Sequence, residues 1–272
     1  MFWRRPSDGA STLEAIPLTR HQLLAVLGVL AIAGGVLLYG LGYTLVSSFA
    51  TRPASLNGTV AIGQVDGAGQ RRDLIAAGPM AVVADDAGTT PEVAISLPPA
   101  TRLPVASAVG ANGVPSGFPH NPEGAVAQLA AVEVRVLSAM SLPLVVQVYG
   151  DWALPGGVGA INWSQTRNVQ SFLTHARQSS NVLDPGTLVS VTPAAVQIKG
   201  TDGPDWLVAC VLLDVRAALK NEARMGYGTC ERMQWTSGRW LIGPGTPPAA
   251  APSTWPGSDA SVMAGWQPIV SS

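Results

Sequence analysis

The chain has 272 residues, enough for one globular domain of ordinary size with accessory segments. Its formal net charge is -1 and 12% of its residues are charged, so no basic field directs it to nucleic acid. Two cysteines, Cys210 and Cys230, are too few for a disulfide scaffold or a cysteine-only zinc site.

Residues 1–20 carry Arg4, Arg5 and Arg20. From Gln22 to Phe49 there is no charged residue. A helix needs roughly 20 apolar residues to cross the hydrocarbon core, so 21–50 reads as a transmembrane helix. Its glycines are tolerated in lipid, where the intrahelical hydrogen bond is the only partner each backbone group has. Gly28, Gly35 and Gly42 line one side. They form either a helix-packing face or simply the glycine background of such helices. Three arginines precede the segment and Arg52 alone follows closely, which places the N-terminus in the cytoplasm and the rest outside. A cleaved signal peptide ending at Ser48 and Ala50 is the alternative. A signal core spans about 7–15 residues, and this run is roughly twice that, which favours an anchor.

Residues 51–116 are rich in Pro and Gly and read as a stalk with one or two small strands, either free or packed on the main domain. Short strands are expected at Thr59–Val65, Met80–Val83 and Val93–Leu97, with turns at Asp66-Gly67, Ala87-Gly88 and Pro98-Pro99. Arg71, Arg72 and Asp73 read as a solvated turn, and Asp85-Asp86 reads as a turn rather than an acid/base pair. The outer domain spans 117–243. Asn121-Pro122-Glu123 is a helix start: a capping side chain, a proline at the first position and an acid at the positive end of the dipole. Val126, Leu129, Val132 or Glu133, Val136 and Met140 then recur at helical spacing to about Ser141. Further helices are expected over Leu144–Trp152 and from Ser164, as cap, to about Arg177.

The period then changes. Leu188–Ile198, Trp206–Val215, Met225–Trp235 and Trp240–Ile242 read as strands, with Thr236-Ser237-Gly238-Arg239 as a hairpin loop. Helices followed by consecutive antiparallel strands imply an α+β domain with helices packed on one face of a curved antiparallel sheet. Residues 244–272 read as a Pro/Ala-rich linker and a short tail in which Val262, Trp266 or Met263 could dock, with Trp255 free to do the same.

Few residues suggest chemistry. If the central hairpin is centred on Lys220, Cys210 and Cys230 lie opposite each other, either as a disulfide or as two small buried hydrophobes. His21, His120 and His175 belong to no metal-ligand spacing. Asp151 and Asp205 stand alone. Asp214 interrupts an apolar strand. Facing the helices it would be a pocket polar residue and candidate base; otherwise it pairs with Arg216, Arg224 or Arg232 or meets solvent. No phosphate loop, nucleophile elbow or zinc-protease pattern occurs, and no cofactor is expected.

The stretch Ser116-Gly-Phe-Pro-His-Asn-Pro-Glu-Gly-Ala-Val-Ala-Gln-Leu-Ala130 resembles the opening of the soluble domain in single-pass membrane proteins of actinobacterial integrative and conjugative elements. Asp151-Trp-Ala-Leu-Pro-Gly-Gly157 and Pro252-Ser-Thr-Trp-Pro-Gly-Ser-Asp259 are similar to stretches of the same proteins. The order of helices, then curved sheet, is similar to the cystatin-like cone of nuclear transport factor two. The resemblance implies a non-enzymatic scaffold or assembly component of a conjugative, type IV secretion-like DNA-transfer apparatus. Its partners would be other membrane subunits, or a second copy, and it would make no direct contact with nucleic acid. The same cone hosts enzymes such as ketosteroid isomerase, so a tethered small-ligand binder or enzyme is the alternative.

Overall fold

The computed structural model describes residues 67–218 and 222–270. The expected anchor at 21–50 with Gly28, Gly35 and Gly42, the strand at Thr59–Val65, His21 and the hairpin tip around Lys220 lie outside the described residues. Among the described residues no helix is long and apolar enough to cross a membrane.

The described residues begin with a helix, α1 (Gly67–Ala77). Three two-residue strands follow: β1 (Thr101–Arg102), β2 (Ala108–Val109) and β3 (Pro115–Ser116). Next come α2 (Pro122–Ala139), α3 (Leu142–Trp152) and α4 (Ser164–His175). The sheet strands are β4 (Leu188–Thr201), β5 (Trp206–Ala218), β6 (Glu222–Thr236) and β7 (Arg239–Ile242). A short α5 (Asp259–Met263) and β8 (Gln267–Val270) complete the fold. The six-stranded sheet runs β1-β8-β4-β5-β6-β7 and is antiparallel apart from the β1/β8 pair. It is an α+β domain with helices against a curled, half-barrel sheet. Register shifts at Pro193/Ala195 and Ile198/Gly200 put two irregularities into β4. Such bulges bend a strand and increase its twist, which curls the sheet.

Local chemistry accounts for the joints. The Asn121 side chain accepts a hydrogen bond from the Gly124 N–H at 2.8 Å, and Pro122 occupies the first turn of α2. Ser141 caps α3 in the same way. The cap of α4 is Trp163, with no side-chain bond, and the expected cap Ser164 is instead the first helical residue. In the β6/β7 hairpin, Ser237 and Gly238 both have positive φ, 52° and 79°. That is the primed two-residue turn whose twist matches the strands.

Alternation sorts β5 onto two buried faces. Leu207, Ala209, Val211 and Leu213 meet the helices, together with Val126, Leu129 and Val136 of α2 and the rings of Trp152, Trp163 and Trp240. Trp206, Val208, Cys210 and Leu212 point the other way, into a second cluster with Ala76, Ala264 and Trp266. The first is here called the helix face and the second the strap face, because irregular chain covers it.

The straps correct the expected stalk and linker. Arg71, Arg72 and Asp73 lie in α1 rather than in a solvated turn. Arg71 and Arg72 pair with Asp202, and Asp73 pairs with Arg232. Met80–Val83 and Val93–Leu97 form no strand ladder. Trp266 docks as the tail reading expected, 1% exposed with its Nε1 donating to Pro252 O at 3.2 Å, but the stretch before it is packed rather than an extended linker, and β8 pairs with β4. Met263 is exposed and Trp255 is half-buried under Arg224, 4.3 Å from its ring. The strap lies flat because β6 has glycines beneath it. A Cβ at Gly226 would collide with the Thr254 carbonyl, and one at Gly228 with that of Pro252.

Candidate functional site

The sequence-selected residues do not converge. Cys210 and Cys230 are directly opposite in the β5/β6 ladder and form a disulfide in the strap-face cluster. Asp214 is also on the strap face, not in a pocket beneath the helices. It accepts two hydrogen bonds from Arg224, at 2.8 and 2.9 Å, and one from Arg216 at 3.1 Å. Burial alone would raise its pKa, but the two guanidiniums outweigh it and hold the carboxyl below its ordinary value. Of its expected readings it takes the paired one, held by Arg216 and Arg224 on the strap face. His120 stacks on Trp235 at 4.4 Å and meets Asp205 at 2.7 Å, a contact that joins the start of α2 to the sheet. His175 bonds back to Ser171 O at 2.8 Å within α4. Asp86 caps its own turn through Thr89 and Thr90. Asp151 accepts from Asn112 at 2.6 Å.

A different group of residues converges on the helix face. The odd-numbered β6 residues Tyr227, Thr229 and Glu231 point at the helices, opposite Glu133 of α2 and Gln165 and Asn168 of α4. Trp163 Nε1 donates to Glu231 Oε1 at 2.7 Å. The Gln165 amide donates to Thr229 Oγ1 at 3.2 Å and to the Tyr227 oxygen at 3.3 Å. Asn168 donates to the same Tyr227 oxygen at 2.7 Å and to Gln165 Oε1 at 3.0 Å. Glu133 is 0% exposed, and neither of its oxygens has a hydrogen-bond partner among the described residues.

The electrostatics follow from that burial. Desolvation first, and then the neighbouring Glu231 charge, push the Glu133 carboxyl well up. The nearby Gln165 amide opposes this without closing a hydrogen bond. Burial raises Glu231 to about 7, against the pull of Trp163 and Arg232. Tyr227 is raised to about 12, by burial and then by Glu133, with Gln165, Thr229 and Asn168 opposing. The cluster thus holds two carboxyls pushed up by burial, Glu231 to about 7, and a phenol pushed up to about 12. It can donate hydrogen bonds and hold a proton.

Two cavities flank it. One of about 50 Å³ reaches Glu231 between Tyr149, Trp163 and the chain at Gly243–Pro247. The other, about 370 Å³, opens between the end of α2, α4 and the ends of β5 and β6, with Tyr227 on its wall. Among the described residues no group of three or more His, Cys, Asp or Glu side chains is placed to hold a metal ion.

Sequence reasoning did not assemble this cluster. One signal was present: Glu133 falls beside Val132 on the apolar stripe of α2, where an acid would be buried. Comparison with known proteins adds no further assignment: no family model, no curated protein and no solved structure matches the chain.

Proposed function

We propose that the chain is a single-pass membrane protein whose α+β domain is a cystatin-like cone on the outer side. In this reading it serves as a non-enzymatic assembly subunit of a conjugative, type IV secretion-like transfer apparatus. The observation that carries this reading is the disulfide in the middle of the sheet. Disulfides persist in oxidising compartments, which supports a domain on the outer side. An exported domain preceded by the uncharged run 22–49 fits an anchor with the N-terminus inside.

The positions of the family-like stretches support the assembly role. Ser116–Ala130 forms β3, the α2 cap and the first turns of α2. Asp151–Gly157 ends α3, with Trp152 buried. Pro252–Asp259 is the strap across Gly226 and Gly228. All three are packing joints; one of their residues, Gly157, also lines the small cavity that reaches Glu231. Residues shared for their packing suit a domain whose business is to present a shape to neighbouring subunits, with Gly28, Gly35 and Gly42 available for contact within the bilayer.

The test is crosslinking of the tagged full chain in its host membrane, followed by purification. The expected result is recovery of other membrane subunits of a transfer apparatus. Recovery of the chain alone removes the reading. Cysteine-accessibility labelling of positions before 20 and after 50 checks the orientation, and labelling of both flanks from the same side would reverse or abolish the anchor.

A further inference from the structure

Three elements meet at the polar cluster, and they are not held equally. α2 brings Glu133 and is seated by buried residues along most of its length. β6 brings Tyr227, Thr229 and Glu231, is paired with β5 along most of its length and is tied to it by the disulfide. α4 is different. Its buried residues are Gln165, Thr166, Val169 and Leu173, so half of its seat is polar. It grips β6 by hydrogen bonds, from Gln165 to Thr229 and Tyr227 and from Asn168 to Tyr227. Trp163, its cap, adds the bond to Glu231 but leaves the end of the helix without a side-chain cap. An element with few buried apolar contacts is the first to open.

α4 also divides the two cavities. Ser164 and Arg167 line the small one with Glu231, and Asn168, Ser171 and Phe172 line the large one with Tyr227. Thr229 lies between them on the same face of β6, beneath Gln165.

The strain lies under this helix. Glu133 is 0% exposed, and neither oxygen has a hydrogen-bond partner among the described residues. It is close enough to Glu231 for that charge to act on it. A buried carboxylate without a partner is costly, so the closed cluster favours protonated carboxyls. Losing both protons places two like charges in one dry site. The sheet offers no compensation, because β5 sets Ala209, Val211 and Leu213 opposite Glu231, Thr229 and Tyr227. The other ionisable groups facing the pair are Tyr227 on β6, Tyr149 on α3, Arg167 on α4 and Arg232. Arg232 is engaged by Asp73 and by the Thr246 carbonyl, and its pull on Glu231 does not cancel the effect of burial. Residues 242–247 bring no charge.

We propose that α4 is a proton-controlled cover. It stays seated while the Glu133–Glu231 pair keeps its protons and lifts from β6 when they are lost, joining the two cavities into one trough over Tyr227, Thr229 and Glu231. α4 is the element that yields, because α2 and β6 are fixed by packing and pairing that the charges do not touch. The device is independent of the assembly role and would stand if that reading failed.

The experiment is amide hydrogen exchange of the full chain in detergent micelles between about pH 5 and pH 8. Each rate is divided by that of the unstructured chain at the same pH. The α4 amides are expected to be less protected than those of α2 and β5 throughout. Their protection should fall roughly a hundredfold across the range, as for a carboxyl that titrates near 7 when covered and near 4.3 when open. Replacing both carboxyls, Glu133→Gln with Glu231→Gln, should remove that fall. Protection of α4 equal to that of α2 and β5 overturns the proposal, because the helix would then open only with the whole domain. Protection that is constant or rises with pH overturns it too; a rise would mean that Arg167 takes up the Glu231 carboxylate and tightens the cover. A fall that persists in the double variant assigns the titration to another group and has the same force. The profile of the unmodified chain is decisive even if the double variant fails to fold.

Discussion

The two faces of the sheet are buried by different means. On the helix face, α2, α3 and α4 cover β4–β7 with regularly spaced side chains. On the strap face, α1 and irregular chain from both ends of the domain cover the same strands, with Trp266 as the anchor and Gly226 and Gly228 as the seat. The helix face buries Glu133 with no hydrogen-bond partner among the described residues, beside Glu231 held by Trp163; the strap side pairs Asp202 and Asp214 with arginines. A half-barrel sheet therefore needs two closures, and only one of them is periodic.

The largest expected effect tests whether the straps are structural. Trp266→Ala removes a side chain that is 1% exposed at the centre of the second cluster. It should cost about 3–5 kcal/mol in chemical denaturation, the usual range for an aromatic ring deleted from a core. A loss below about 1 kcal/mol would mean that the tail merely rests on the sheet. Next comes the disulfide, which closes a loop with a sequence separation of 20. The chain-entropy model gives about 3 kcal/mol for such a loop. The doubly substituted Cys210→Ala/Cys230→Ala chain should lose that much, and reduction of the native chain should match it. No change on reduction would remove the argument for an oxidising compartment.

The same contrast explains what could be read from residue order. Side chains that bury themselves by regular spacing leave a pattern, so Asn121-Pro122-Glu123, the stripe of α2, the four strands and the Ser237-Gly238 turn were all legible. So was the Cys210/Cys230 register, because a hairpin centred on Lys220 fixes it. The straps were not. Their contacts run backbone to backbone against glycine, through Thr254 and Pro252, and such contacts leave no period. The polar cluster was hidden for another reason. Tyr227, Thr229 and Glu231 alternate with Gly228 and Cys230, and alternating polar residues usually mark a solvent face. Here α2 and α4 cover them. Asp214 was legible in part: pairing with Arg216 or Arg224 was among its expected readings, and both bond it on the strap face.

The acids on the two faces should give stability opposite pH dependence. Glu231 has its pKa raised to about 7 in the fold. The folded state then holds a proton that the unfolded chain releases above about 4.3. Its contribution is full below that value and is lost as pH rises to about 7, a difference of about 4 kcal/mol. Glu133, also raised, adds to the same limb. Glu231→Gln keeps an acceptor for Trp163 and should flatten this limb, leaving the variant more stable than the parent above neutrality. Denaturation midpoints measured between about pH 4 and pH 8 check it, over the window these values set. A parent chain whose stability does not fall over that window would mean that Glu231 is not desolvated.

The smallest effect belongs to the strap face and has the reverse sign. Arg216 and Arg224 stand directly opposite in the β5/β6 ladder, an arrangement that is unfavourable for like charges. Asp214 bridges both, which is why its carboxyl is held below its ordinary value despite its burial. A depressed carboxylate contributes stability above its unfolded value, about 3.9, and the contribution is lost as pH falls through the folded value. Arg216 is half exposed, so solvent screens part of the attraction, and the net contribution should be about 1 kcal/mol. Asp214→Asn should therefore lower stability by about that amount at neutral pH and leave the parent and variant alike in strong acid. Adding Arg216→Gln should restore part of the loss, because it removes one of the two facing cations. If Asp214→Asn were neutral, or its effect persisted unchanged into acid, the charge would not be what holds this end of the hairpin. The contrast between a face that fails in base and a face that fails in acid would then rest on Glu231 and Glu133 alone.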